Sequence, residues 1–477
     1  MKKQWIAIFS IIIILLSPLL VSSTAIAAGT KNSEDWPDQP SVFAQSAIVM
    51  EASTGLVLYE KNINDEHYPA SITKIMTVLL ALENSSLGDT VTFSQNVVTN
   101  VDRESTIIFA NEGEQMTMQQ CLYAIMIESA NDVAYGVAEH ISGNIKEFAK
   151  LMNDKAKSLG CKNTHFVNPN GLPDEDHYTS SYDMALITRE AMKYDTFRKI
   201  ISTRYYELPP TNKQPKPRHW INHHYLVSHK NGYSYDGTIG GKTGYTHISK
   251  NTLVTAAKRG DMELICVVMK DNPQHQYTDT MKLFDYGFNN FSSYPIADLE
   301  KTDKLSESPM FTRYNSLLSE TEKPISIDNN GYLVLPKTAS FKEAKRKISF
   351  FSPNMNTSEK TTSVQMVSEA NIIGKISYTY DGKYVGGANI LYKNVNTPAL
   401  IHNNTGSKNP ASNSNASSHK SGGMLQAIII GGIAGIVIIA IGLYYFLIER
   451  PRLKRRHAYD HKRALRRLRR DDDYLDL

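Results

Sequence analysis

Pro69-Ala70-Ser71-Ile72-Thr73-Lys74-Ile75-Met76-Thr77 continues into Val78, Leu79, Leu80 and Leu82, an apolar run with no polar stripe. Such a run reads as a helix buried on all sides, with Pro69 as its start signal. On a helix beginning near Ser71, residues three apart share a face. The Lys74 amine is thereby set beside the Ser71 hydroxyl, in an interior that disfavours an ammonium. A neutral lysine there acts as a base, and the unpaired N–H groups of the helix start suit the oxyanion of acyl transfer. Ser-x-x-Lys alone is a common pattern that recurs here at Ser417 to Lys420, so its meaning depends on what accompanies it.

Upstream, Ser46-Ala47-Ile48-Val49-Met50-Glu51 and Leu56-Val57-Leu58-Tyr59-Glu60 flank Ser53-Thr54-Gly55, a β-hairpin that feeds into the Ser71 helix. Downstream, Met118-Gln119-Gln120-Cys121-Leu122-Tyr123-Ala124-Ile125-Met126-Ile127-Glu128 has helical spacing. It breaks at Ser129-Ala130-Asn131, a short polar step into a further helix over 132 to 141, and such a step presents its side chains to a cleft. Another helix runs from Tyr182, so residues 71 to about 200 are mainly helical. The pattern then turns to strands. Gly240-Gly241-Lys242-Thr243-Gly244-Tyr245-Thr246, Thr252-Leu253-Val254-Thr255-Ala256-Ala257 and Leu264-Ile265-Cys266-Val267-Val268-Met269 form an antiparallel meander that turns at Lys258-Arg259-Gly260-Asp261. A last helix over 279 to 288 closes this first domain. The fold class is α+β, an antiparallel sheet with a helical subdomain.

Residues 1 to 27 read as a secretory signal peptide: Lys2-Lys3, an apolar stretch, then Ala25-Ile26-Ala27 as a small-x-small cleavage site. The catalytic domain is assigned to 28–298. Residues 299–395 change character, with short strand-like runs and a hairpin turning at Asp381-Gly382, and read as a small β-rich domain. Residues 396–423 are an Asn/Ser/Gly-rich linker. The span 424–448 is a transmembrane helix, because its 22 uncharged residues 427 to 448 make roughly 33 Å at about 1.5 Å each. The basic tail 449–477 then places the C-terminus in the cytoplasm and the rest of the mature chain outside the cell.

The chain has 477 residues, 41% hydrophobic and 21% charged, ordinary for two or three globular domains. Its net charge of +4 comes from the ends: the tail carries +5 and the first 27 residues +2, leaving −3 for residues 28 to 448. No nucleic-acid surface is implied, and anionic inner-leaflet lipids are the expected contact of the tail. Three cysteines, Cys121, Cys161 and Cys266, are too few and odd in number for a disulfide scaffold. All three are expected to be buried and inert, with a bridge between two left open.

Ser71-x-x-Lys74, Ser129-x-Asn131 and Lys242-Thr243-Gly244 thus follow one another at a buried helix start, between helices and on a strand. Together with Phe166-Val167-Asn168-Pro169-Asn170-Gly171-Leu172, His177-Tyr178-Thr179 and Asp236-Gly237, these residues resemble the penicillin-recognising serine enzymes, specifically the D-alanyl-D-alanine carboxypeptidases among the low-molecular-mass penicillin-binding proteins. The likeness is tight over about residues 40 to 290 and weaker for the β-domain and anchor. It implies Ser71 as nucleophile, Lys74 as its base and Ser129 as proton relay. Asn131, Lys242, Thr243, Gly244 and Tyr245 are the implied substrate contacts, with Lys242 keeping the site electropositive and Thr243 holding the terminal carboxylate. Backbone N–H groups of Ser71 and Tyr245 are the implied oxyanion hole. Acyl transfer needs these residue types: an activated hydroxyl, a base, a proton donor and a cation.

The chain departs from that pattern in two places. Some members place an arginine soon after the Val-Val-Met strand, where this chain has Lys270-Asp271-Asn272, so the carboxylate leans on Lys242 and Thr243 or on Lys270. Trp220-Ile221-Asn222-His223-His224 stands where the family often has Asn-x-Asn. No carboxylate or cysteine sits at metal-ligand spacing from these histidines, so no metal and no cofactor are expected.

The reading is a serine D-Ala-D-Ala carboxypeptidase that removes the terminal D-alanine from the peptidoglycan pentapeptide and is acylated by β-lactams. It is anchored by its C-terminal helix in the cell membrane with the catalytic domain on the extracellular face. The rivals are a D,D-endopeptidase, a β-lactamase and a non-catalytic wall-binding protein. Against the β-lactamase, Glu175 is followed by Asp176-His177-Tyr178 instead of leading to Leu-Asn. Intact Ser71, Lys74, Ser129 and Lys242 argue against the silent binder.

Overall fold

The two apolar runs joined by Ser53-Thr54-Gly55 pair as an antiparallel hairpin, β1 (Ser46–Glu51) with β2 (Val57–Lys61), in a computed structural model that describes residues 36–102, 104–300, 325–350 and 370–393. Every residue of β1 is buried, which requires cover on both faces. The chain next makes a 3-10 turn (Ala70–Thr73) and enters helix α1 (Lys74–Asn84), buried from Lys74 through Ala81. The helix start expected near Ser71 is therefore a tighter turn, a frequent form of helix entry, and Ser71 sits on it just ahead of α1.

A ribbon of β3 (Thr90–Thr92) and β4 (Gln115–Thr117) brackets the short α2 (Gln95–Asn100), and a Thr117/Gln120 capping box starts α3 (Met118–Tyr123). The spacing implies one α-helix as far as Glu128. Instead, α3 widens into a π-turn (Ala124–Glu128) that ends at Ser129 in the left-handed region, φ 69°. The wider turn re-aims the chain beyond it, and such bulges gather at functional sites. Helix α4 (Asn131–Ser142) begins two residues later and stops at Gly143, whose φ of 75° suits a left-handed cap. α5 (Ile145–Ser158), capped by Asn144, α6 (Ser181–Ala191), capped by Ser180, and α7 (Asp195–Ser202) complete the helical half.

A second ribbon, β5 (Tyr205–Leu208) with β6 (Arg218–Ile221), is followed by the single turn α8 (Tyr225–Ser228). The Lys-Thr-Gly segment lies on β7 (Thr238–Thr246), which leads through β8 (Lys250–Arg259) to β9 (Met262–Asp271) in the expected meander. The five strands are ordered β2-β1-β9-β8-β7, which leaves β7 as an edge. Period-2 alternation sorts their side chains. Ile48, Met50, Val254, Ala256, Ile265 and Val267 join the core built around α1. Ala47, Val49, Leu253, Ala257, Leu264 and Val268 join the core of α9 (His275–Asn290), which begins four residues earlier than the pattern implies.

β10 (Phe291–Pro295) leaves α9 directly and precedes the single turn α10 (Ile296–Leu299). It pairs with β12 (Tyr332–Pro336), so the second sheet begins upstream of the boundary expected at 299. β11 (Ile325–Ile327), β13 (Lys345–Phe350), β14 (Ala370–Tyr380) and β15 (Lys383–Lys393) complete it in the order β10-β12-β15-β14-β13, with β11 also on β15. The β14–β15 hairpin turns at Asp381-Gly382, both at positive φ, as a primed two-residue turn requires. Leu333, Leu335, Ile376 and Ile390 share one apolar cluster with Leu283 and Phe284 of α9, so that helix is cored on the first sheet and on the second.

Cys121 and Cys266 are buried free thiols, while Cys161 is half-buried and also free, so the bridge left open by the sequence is absent. The leader 1–27, linker 396–423, membrane span 424–448 and tail 449–477 lie outside the described residues. Among the described residues no helix is long and apolar enough to cross a membrane.

Candidate active site

The turn that carries Ser71 is clamped from two sides. At Gly171, with φ 87°, a Cβ would stand 1.8 Å from the Ala70 carbonyl oxygen; at Gly244 on β7 it would stand 2.9 Å from the Ser71 nitrogen and 2.4 Å from Thr252 Oγ1. Only glycine allows either approach. Thr252 Oγ1 donates to the Pro69 carbonyl at 2.8 Å, so β8 grips the turn as well. Held in this way, Ala70 keeps a left-handed φ of 51°.

Lys74 is fully buried, and its Nζ lies 2.9 Å from Ser71 Oγ, 2.6 Å from Asn131 Oδ1 and 2.7 Å from the Asn170 carbonyl oxygen. Burial holds its pKa well below the ordinary lysine value and Lys242 pushes the same way, against the opposing charge of Asp132. A neutral amine has two N–H donors and one lone pair. Two amide oxygens and one hydroxyl match that set, with the lone pair directed at the Ser71 proton.

The loop that supplies Asn170 folds on itself: Asn168 Oδ1 accepts from the Gly171 N–H at 2.7 Å, and Asn168 Nδ2 donates to the Leu172 carbonyl at 2.9 Å. His177 braces it from behind. Its Nδ1 accepts from the Val167 N–H at 3.1 Å, so its Nε2–H donates to Thr73 Oγ1 at 2.9 Å. Burial lowers its pKa to about 3, and the ring stays neutral.

Ser129 is 6% exposed at the end of the π-turn, and Asn131 opens α4. The Asn131 N–H donates to the Thr106 carbonyl at 2.8 Å, while the Asp132 carboxylate accepts from the N–H groups of Ile108 and Ala110. One acidic side chain thus pins the 105–110 segment over the cleft. On β7, Lys242 is 1% exposed and donates to the Thr243 carbonyl at 3.0 Å. Burial lowers its pKa to about 7, with Glu128 opposing the shift.

Ser71, Ser129, Thr243, Gly244 and Tyr245 line one cleft of about 1040 Å³, and Lys74, Asn131 and Lys242 are buried behind them. All the residues singled out by pattern therefore converge. Lys270 does not join them: it is the penultimate residue of β9 at φ 55°, is exposed, and its charge bears on His67. Nor do the histidines gather as ligands. His224 is buried with Nε2 2.9 Å from Thr255 Oγ1, His223 Nε2 stands 3.7 Å from Glu128, and His219 pairs with the Tyr205 hydroxyl. Among the described residues no group of three or more metal-ligating side chains occurs.

The same cleft exposes contributors that sequence reasoning missed: Thr106, Glu128, Asn251 and Gln276, with the Asn170 carbonyl behind. Glu128 had a signal, an acidic residue ending an otherwise apolar helix next to Ser129. Asn251 and Gln276 had none, because only strand register and the start of α9 bring them to this wall.

A family profile described as D-alanyl-D-alanine carboxypeptidase matches residues 33–273. A D-alanyl-D-alanine carboxypeptidase DacF from Bacillus subtilis is 40% identical over 263 residues, covering 54% of this chain and 66% of that protein. DacA from Haemophilus influenzae, also a D-alanyl-D-alanine carboxypeptidase, is 28% identical over 388 residues, covering 79% of this chain and 91% of that one. Among solved structures, penicillin binding protein 5 from Haemophilus influenzae superposes with a TM-score of 0.56 at 26% identity, over 75% of this chain and 98% of that one.

Proposed function

Because the chain belongs to the D-alanyl-D-alanine carboxypeptidase family and is a penicillin-binding serine hydrolase of D-Ala-D-Ala termini, we propose that its acyl-enzyme forms on Ser71, with Lys74 as the base. The Ser71 proton passes to Lys74 Nζ as Oγ attacks the penultimate carbonyl. The oxyanion meets the backbone N–H groups of Ser71 and Tyr245, the second carried on the β7 edge. Ser129 returns the proton to the departing D-alanine amine. Asn131 holds the substrate amide while fixing Lys74, Lys242 and Thr243 face the terminal carboxylate, and Gly244 lets the strand approach. Water then cleaves the ester with the same groups in reverse.

One observation carries this reading: a buried lysine whose pKa is depressed, 2.9 Å from the Ser71 hydroxyl, with its other hydrogen-bonding positions filled by Asn131 and Asn170. The test is intact mass of the protein with and without penicillin. A single adduct is expected, lost in Ser71→Ala together with D-alanine release; an adduct retained by Ser71→Ala removes the assignment.

The reading extends to the cell surface: a secreted enzyme held in the membrane by residues 424–448, acting on peptidoglycan pentapeptides from the extracellular face. The 22 uncharged residues 427 to 448 followed by a basic tail support it. A tag after Leu477 should resist protease added to intact cells while the catalytic domain is digested; the reverse pattern removes this topology.

A further inference from the structure

Beyond Thr243 the cleft wall continues through two neutral side chains from distant parts of the chain. Asn251 lies opposite Tyr245 in the β7–β8 ladder, and Gln276 stands in the first turn of α9. Gln276 is 7% exposed. The amide oxygens of both are enclosed without a hydrogen-bond partner, and neither side chain makes a hydrogen bond among the described residues. A primary amide whose oxygen is shut in while its residue lines a cleft turns its NH2 donors to whatever occupies that cleft. The NH2 donors of two such amides on a cleft wall are satisfied only by water or by an acceptor on the ligand.

The strand and helix that carry these amides place no cation on the cleft lining. Of the cationic side chains that do line it, Arg204 precedes β5 and Lys230 follows α8, while Lys270 lies outside it. Asp271, opposite Asn251 in the β8–β9 ladder, is buried with one carboxylate oxygen unpartnered, so the local field opposes an anion. Apart from Lys242 buried behind Thr243, the donors this wall offers an anion are oriented N–H groups.

We propose that Asn251 and Gln276 donate, together with Thr243, to the C-terminal carboxylate of the substrate, so that neutral amides make the grip that selects a free carboxyl end. The assignment rests on Ser71 as the acylated residue. Hydrogen bonds to a charged partner are strong enough that losing one costs about 10- to 100-fold in affinity.

The experiment measures kcat and KM for a blocked peptide ending in D-Ala-D-Ala and for the same peptide ending in D-alaninamide. For Gln276→Ala and Asn251→Ala the carboxylate substrate should lose about 10- to 100-fold in kcat/KM, mostly through KM, while the amide substrate, whose neutral carbonyl takes only an ordinary hydrogen bond, should lose only severalfold. Gln276→Glu, nearly isosteric and anionic, should lose more with the carboxylate than either alanine variant and far less with the amide. Equal losses on both substrates mark a structural role and overturn the proposal, as does no loss on either. If the unaltered protein releases no D-alanine from the carboxylate peptide, the catalytic reading has failed instead.

Discussion

Gly171→Ala is a single added methyl group behind the nucleophile, 100 positions away in sequence. Real Cβ atoms essentially never approach a heavy atom within 3.0 Å, and this one would start 1.8 Å from the Ala70 oxygen, so the loop must withdraw by at least the difference, 1.2 Å. The loop carries the Asn170 carbonyl, 2.7 Å from Lys74 Nζ, and the same displacement takes that contact to about 3.9 Å, beyond a hydrogen bond. The left-handed backbone adds roughly 1 to 2 kcal/mol for alanine over glycine, and the lost bond to the buried lysine about 1.5. Together, about 3 kcal/mol should lower the melting temperature by roughly 6 °C or more. An ångström of misplacement in a reacting pair costs on the order of 100-fold in rate. The assay is a time course of penicillin adduct formation by intact mass, beside a thermal melt. Gly160→Ala is the control: its φ of 85° is close to the 87° of Gly171 but nothing lies within 4 Å, so it carries the backbone cost without the collision. If Gly171→Ala is acylated at the unaltered rate, the loop does not hold Lys74 and the argument is wrong.

The rate of acylation should rise with pH through the depressed pKa of Lys74, well below the free value of about 10.4, and a midpoint at the free value would refute a desolvated base. For Lys242 the unfolded chain holds its proton up to about 10.5 and the folded one only up to about 7, so the buried cation costs stability that returns as pH rises between those values. Lys242→Met should therefore melt higher at pH 7 with a flatter pH dependence above it, while losing D-alanine release; a lower melt would deny the cost. His177 runs the same way at acid pH: folded, its pKa is about 3 against 6.5 unfolded, so stability falls as pH drops through that window. His177→Gln should remove about 1.4 kcal/mol per pH unit of that slope in denaturant titrations at pH 6, 5 and 4, and an unchanged slope would show that the ring is not buried neutral.

Side-chain identity made Ser71, Lys74, Ser129 and Lys242 visible, because each role proposed for them needs atoms peculiar to its residue type. The third partner of Lys74 is a main-chain carbonyl, which any residue at position 170 supplies, so no letter of the sequence marks it. Hairpins were legible where two strands and their turn are contiguous, as at Asp381-Gly382. The second sheet was harder, since β10 is separated from its partner β12 by a long insertion and lies within the stretch assigned to the first domain. The π-turn was hidden for a different reason: Ala124 to Glu128 hold no Gly or Pro to interrupt a helix, and their apolar side chains are buried in the core as an α-helix would bury them. Asn251 and Gln276 are ordinary polar letters until strand register and the start of α9 bring both to one cleft.

Under the proposed binding mode, the two buried lysines also make the site a proton-coupled anion receptor. With nothing bound, the Lys242 charge disfavours that of Lys74, and burial lowers the pKa of Lys242 to about 7. A carboxylate arriving beside Lys242 stabilises its ammonium and draws a proton from solvent, so ligand association in this pH range is accompanied by proton uptake. Titration calorimetry in buffers of different ionisation enthalpy should return different apparent heats for the same ligand, converging as the pH falls below 6 and Lys242 is charged before the ligand arrives. An enzyme built this way draws the charge for its substrate from the medium at the moment of binding, and it need not hold two facing cations while empty.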